Sequence, residues 1–285
     1  MTRRPLLLAA AVLVLLFAAP HASAGEVHQK LLDQHAESVV SVKFTLSMQL
    51  SFQGQTMDRE MSGAAAGILV DPVGLIVMDA AAFSPRGPRG MEIKASPVSI
   101  RIVFPGDPKE YEAVLGAKDS RLGMTFVRIK DLEGKQVKAL SLDGEPEASI
   151  GDRLYGVTRL DQGFDYAPLC QTADVTGWVT KPRKMWAVEG GAVDVAHPLF
   201  TASGAVVGFV VRQTGEGSDA VRPFLLPIKV ARSTIERAGR DAEKVLEEAL
   251  EAEAEAAEEA ADEEAADEET TEEQPVEDPG TPEAD

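Results

Sequence analysis

The 285-residue chain carries a formal charge of −19 and one cysteine. One cysteine excludes an intramolecular disulfide, so the fold must rest on its core alone. Residues 241–285 hold 21 Asp plus Glu and one Lys, a charge of −20; that leaves +1 for residues 1–240 and excludes a global field for nucleic acid.

The N-terminus reads as a targeting signal. Arg3 and Arg4 precede an unbroken apolar run, Leu6 to Ala19, which Pro20 ends. Ala22-Ser23-Ala24 offers small residues for signal peptidase, so residues 1–24 read as a secretory signal peptide cleaved after Ala24. The alternative is an uncleaved anchor, but the run of 14 residues falls short of the roughly 20 that a spanning helix needs. The expected location is exported, periplasmic or extracellular, with no membrane contact after cleavage. Cys170 reads as a small buried apolar residue, with a free thiol or an intermolecular bridge as the alternative.

Residues 25–36 read as a helical segment. Short β-rich runs follow, separated by Gly, Pro and Asp: Val39–Leu50, Gly67–Val70, Leu75–Met78, Ser99–Phe104, Thr125–Ile129, Asp152–Thr158, Gly177–Thr180 and Val206–Arg212. This spacing predicts an all-β sandwich or barrel. Helical periodicity returns from Lys229. The acidic tail, 237–285, reads as helical and then disordered after Thr270, because Ala and Glu favour helix locally while like charges repel along it.

Several segments resemble the protease domain of the HtrA/Deg-type trypsin-like serine proteases. Ser38-Val39-Val40-Ser41-Val42 and Gly67-Ile68-Leu69-Val70-Asp71-Pro72-Val73-Gly74-Leu75-Ile76-Val77 resemble the opening of its first barrel. Ala117-Lys118-Asp119 starts a segment like the one that carries its aspartate. Ser149-Ile150-Gly151-Asp152, Val175-Thr176-Gly177-Trp178-Val179-Thr180, Pro198-Leu199-Phe200 with Gly204-Ala205-Val206-Val207-Gly208, and Leu226-Pro227-Ile228 resemble pieces of the second. The resemblance covers 37–236. It implies two six-stranded antiparallel β-barrels, about 37–135 and 136–236, with an active cleft between them, then a C-terminal helix and the acidic low-complexity tail. The PDZ domain common in that family has no counterpart here.

That family needs a His base, an orienting Asp, a Ser nucleophile and backbone donors for the oxyanion. Its histidine motif falls on Met78-Asp79-Ala80-Ala81-Ala82, which puts Ala81 at the base position. Its aspartate motif puts Gly123 at the orienting position. Its nucleophile motif falls on Val193-Asp194-Val195-Ala196-His197-Pro198-Leu199, which puts Val195 at the nucleophile and a β-branched Val193 where the oxyanion loop has glycine. All three triad positions are vacant, so the resemblance implies a pseudoprotease with a peptide-binding, protein-binding or scaffold role. One alternative is a hydrolase with residues relocated around His197, using Asp194 and a nearby Thr201 or Ser203. Another is binding of cations or a basic partner by the acidic tail.

The three His beyond the expected cleavage site, His28, His35 and His197, and one Cys give no metal-ligand spacing, and no G-x-G-x-x-G or P-loop occurs, so no cofactor is expected. Arg86 and Arg89 follow the vacant histidine motif, so they read either as a solvated loop or as a basic binding site for acidic peptides, including the chain's own tail.

Overall fold

Strands β1 (Val39–Phe52), β2 (Gln55–Leu69), β3 (Leu75–Asp79), β4 (Glu92–Val103), β5 (Glu110–Asp119) and β6 (Met124–Ile129) close into one antiparallel barrel. Strands β7 (Arg153–Arg159), β8 (Pro168–Val179), β9 (Met185–Gly190), β10 (Pro198–Phe200), β11 (Val206–Thr214) and β12 (Val221–Pro227) close into a second. Their orders, β1-β2-β3-β6-β5-β4 and β7-β8-β9-β12-β11-β10, are the same topology repeated six strands later. Helix α1 (Ala24–His35) precedes the barrels, and α2 (Ile228–Thr271) follows them. This computed structural model describes residues 24–52, 55–85, 92–214 and 221–271; all of the expected signal segment but Ala24, the first residue of α1, lies outside them. Two six-stranded antiparallel barrels fit a trypsin-like fold.

Alternation along the strands builds three cores. In β3, Ile76 and Met78 face the interior of the first barrel while Leu75 and Val77 face a layer between the barrels. β1 divides the same way, with Val40 inward and Val39 toward that layer. Successive side chains of a strand point to opposite faces, so a strand buried on both sides reads as a continuous apolar run. The shared layer takes Leu31 of α1, Phe126 of β6, Phe200 and Phe209 of the second barrel, and Ala231, Ile235, Ala238 and Ala242 of α2. The interior of the second barrel is separate, built on Leu154, Val175, Trp186, Leu199 and Val210.

Both helices join the barrels. Helix α2 starts on β12 and packs along β11, β3, β5 and β6. Small residues permit the approach: a Cβ added at Gly116 of β5 would lie 3.3 Å from the Cβ of Ala242. Farther along, Lys130 pairs with Glu253, so the acidic helix is anchored at one point where repulsion alone was expected. Residues 251–258 are all exposed. No helix among the described residues is long and apolar enough to cross a membrane.

The first barrel carries a ribbon beyond its rim. β1 and β2 pair from Val39↔Ile68 out to Phe52↔Gln55, and β1 and β4 pair out to Ser51↔Glu92. β2 meets β3 only at Ile68 and Leu69, and β4 meets β5 only from Arg101 to Val103. Residues 46–51, 55–66 and 93–99 therefore form three strands whose outer edges have no further strand beside them among the described residues.

Candidate functional site

Of the three positions the resemblance singles out, Ala81 and Gly123 are held near each other in the first barrel, and Gly123 lies beside Val195 of the second. Ala81 sits in a 3₁₀ turn, Ala80–Phe83, that follows β3. Asp79 caps this turn by accepting the Ala81 N–H at 2.8 Å. The Ala80 N–H donates to the Gly123 carbonyl at 2.8 Å, which fixes the histidine position against the aspartate position. Gly123 closes a turn in which the Asp119 carboxylate accepts from Arg121 and Leu122, both at 3.0 Å. Its φ of +72° is left-handed backbone that glycine adopts at little cost. A Cβ built on Gly123 would lie 3.5 Å from Cγ1 of Val195. Positions 123 and 195 are thus neighbours across the two barrels, with no side chain on the first and an apolar one on the second.

Val195 is buried, as are its neighbours Leu122, Met124 and Ala196 in the shared layer. The loop around it is tied down. The Ala196 N–H donates to Val210 at 2.8 Å, and the Val210 N–H donates to His197 at 2.9 Å. The left-handed residue of the loop is Ala196, with φ +65°, at a position where the family's motif has glycine; Val193 has no positive φ. The end of β11 is bridged to the first barrel as well. Arg212 pairs with Asp79 at 3.6 Å, and Gln213 Nε2 donates to the Arg121 carbonyl at 2.7 Å. Replacing Val195 with Ser opens a small void and buries a hydroxyl among apolar neighbours. Val195→Ser is therefore expected to cost about 2 kcal/mol, read as a lower urea midpoint at unchanged slope.

His197 is buried directly behind Val195. Its Nδ1–H donates to the Val195 carbonyl at 3.3 Å, which leaves Nε2 as an acceptor 3.5 Å from the Thr158 hydroxyl. The expected neighbours differ: Thr201 and Ser203 bond each other at 2.7 Å, and Thr201 also accepts the Ala205 N–H. Thr158, at the end of β7, is the hydroxyl that sequence reading missed, because only barrel closure brings it to His197. Burial holds the His197 imidazole below its ordinary value, against the opposing pull of Asp194, the Val195 carbonyl and Asp79.

The other described histidines, His28 and His35, dock α1. His28 meets Tyr155 edge-on at 5.6 Å. His35 stacks on Phe200 at 4.0 Å, and its Nε2–H donates to Gly204 at 3.0 Å. Burial lowers its pKa, opposed by the Gly204 bond and assisted by Lys138. The folded protein therefore holds His35 and His197 toward the neutral form, while the unfolded chain takes up their protons near 6.5. Stability is expected to be full above that pH and to fall as pH drops through the lowered folded values. Melting curves between about pH 7.5 and 5 check this, and His197→Ala should flatten the slope by up to one proton.

Arg86 and Arg89 lie outside the described residues. Cys170 is half-buried, and burial raises its thiol pKa, which makes it a poor nucleophile. Among the described residues, no three His, Cys, Asp or Glu side chains are grouped to hold a metal. Comparison of the chain with protein-family models and with curated proteins finds no match.

Proposed function

We propose that the chain is an exported, catalytically inactive homologue of the HtrA/Deg-type trypsin-like proteases that works by binding a peptide or protein, or as a scaffold. The observation that carries this reading is the burial of Val195 in the apolar layer between the barrels, with the side-chain-less Gly123 beside it: the positions that would hold a nucleophile and a carboxylate carry neither. In a related mechanism, losing the triad costs on the order of 10⁶ in turnover. Binding by strand addition between the barrels would have to break the Arg212–Asp79 and Gln213–Arg121 ties, so an outer face is the better-supported binding surface. The test is hydrolysis of a labelled unfolded protein by the mature chain, residues 25–285, beside His197→Ala. No turnover by either protein is the expected result.

One observation favours a second reading. An imidazole oriented by a backbone carbonyl, with a hydroxyl on its other nitrogen, is the arrangement of a base beside a nucleophile. Turnover that disappears in both His197→Ala and Thr158→Val would establish a relocated hydrolase centre and overturn the inactive reading.

A further inference from the structure

The second barrel carries a cavity of about 530 Å³ where β9, the linker into the barrel and the start of α2 meet. Trp186 supplies its aromatic wall, and Pro146, Pro182 and Pro227 line it with rigid apolar surface. Arg183 and Lys184 charge one lip, and the Lys184 ammonium lies 5.8 Å from the Trp186 ring centroid. Glu145 and Glu147 also line it, but Glu145 is engaged by Lys229 at 3.7 Å and by Arg232 at 3.6 Å. A tryptophan flanked by prolines and basic side chains suits an extended, proline-containing, acidic segment. Prolines lower the cost of ordering such a segment as polyproline II, and it can lay apolar rings on the proline-lined surface beside the indole edge and carboxylates against Arg183 and Lys184.

The chain contains a segment of that kind. Residues 272–285 hold six Asp plus Glu, no basic residue, and prolines at 275, 279 and 282, the last two spaced as Pro279-Gly280-Thr281-Pro282. We infer that this segment of one copy occupies the Trp186 cavity of a second copy. Reach decides against the same copy. The 44 residues of α2 begin at the cavity and carry the chain about 66 Å along the helix axis. Pro282 lies 11 residues beyond Thr271 and can return at most about 40 Å when fully extended. The segment falls short of its own cavity by about 26 Å, while nothing in that arithmetic restrains it from a neighbour's. Each copy then offers one cavity and one segment, and their association weakens as salt screens the lip.

The test uses the mature chain and two double variants. Arg183→Glu/Lys184→Glu spoils the lip and keeps the segment. Pro279→Ala/Pro282→Ala spoils the segment and keeps the cavity. Arg183 and Lys184 lie outside the barrel cores, and melting curves confirm that each variant folds. Sedimentation equilibrium at about 20 mM salt, where screening is weak, is expected to show parental mass rising above monomer with concentration. Each double variant alone should need at least about tenfold more protein for the same association. A mixture of the two variants should associate again, because one supplies an intact segment and the other an intact cavity. A parent that stays monomeric, a variant that associates like the parent, or a mixture that fails to associate would each overturn the inference. The hydrolysis result bears on none of these outcomes.

Discussion

Gly208→Ala is expected to unfold the second barrel under conditions in which the parent is intact. Gly208 lies in β11 opposite Pro227 of β12. A Cβ at this position would sit inside the contact radius of the Leu226 carbonyl oxygen and 2.9 Å from its carbon. Both obstacles are backbone, in a strand whose Leu225 and Leu226 are fully buried, so neither can swing aside as a side-chain tip would. The strands must separate locally, which disturbs two cores at once, since Leu225 belongs to the barrel interior and Leu226 to the shared layer. A cost of roughly 3 kcal/mol or more is expected, large against a typical total stability of 5–15 kcal/mol. Urea titration followed by circular dichroism measures it. A midpoint within error of the parent would mean that the β11–β12 spacing can relax.

The second large effect concerns Arg159, at the end of β7. Its guanidinium donates to the carbonyls of Val39 at 2.8 Å, Tyr166 at 2.9 Å and Ala36. One planar group therefore ties the segment after α1, the start of the first barrel and a loop of the second. Burial pulls its pKa down, opposed by Glu37. Arg159→Ala strands three acceptors and should cost about 2–4 kcal/mol, held to that range because the group is only half-buried. Arg159→Lys should recover less than half of the loss. A single ammonium cannot match a fork aimed at three acceptors. The same urea titration measures both variants, and equal stability of Lys and Arg at this position would show that charge matters there and geometry does not.

Neither Gly208 nor Arg159 stands out in the sequence for these reasons, and the fold itself was unevenly legible. β3 and β6 announce themselves as Leu-Ile-Val-Met and Met-Thr-Phe-Val-Arg-Ile because both faces are buried. The outer part of β2, Gln-Thr-Met-Asp-Arg-Glu, shows no alternation because both its faces are exposed, so only its end at Gly67–Leu69 was readable. β12 was hidden by Pro223 and Pro227, and β5 by its mixed Glu, Lys and Ala. The order of short motifs picked out Ala81, Gly123 and Val195, and the latter two do approach each other. The pairing of His197 with Thr158 was not legible, because 39 residues separate them and barrel closure alone makes them neighbours.

The ribbon beyond the first barrel has a consequence for the behaviour of concentrated protein. Its outer strands present unpaired N–H and C=O groups, the template on which strands of other molecules add and grow into aggregates. What blunts these edges is side-chain chemistry. β2 lines its edge with Asp58, Arg59 and Glu60, all exposed, beside a Met57 that is 66% exposed. On β4, Pro97 removes a donor where the pairing with β1 shifts register, between Thr45 and Leu46. Loss of those charges would leave Met57 and Met61 on a sticky rim, and insoluble material rather than unfolding would be the first sign of it.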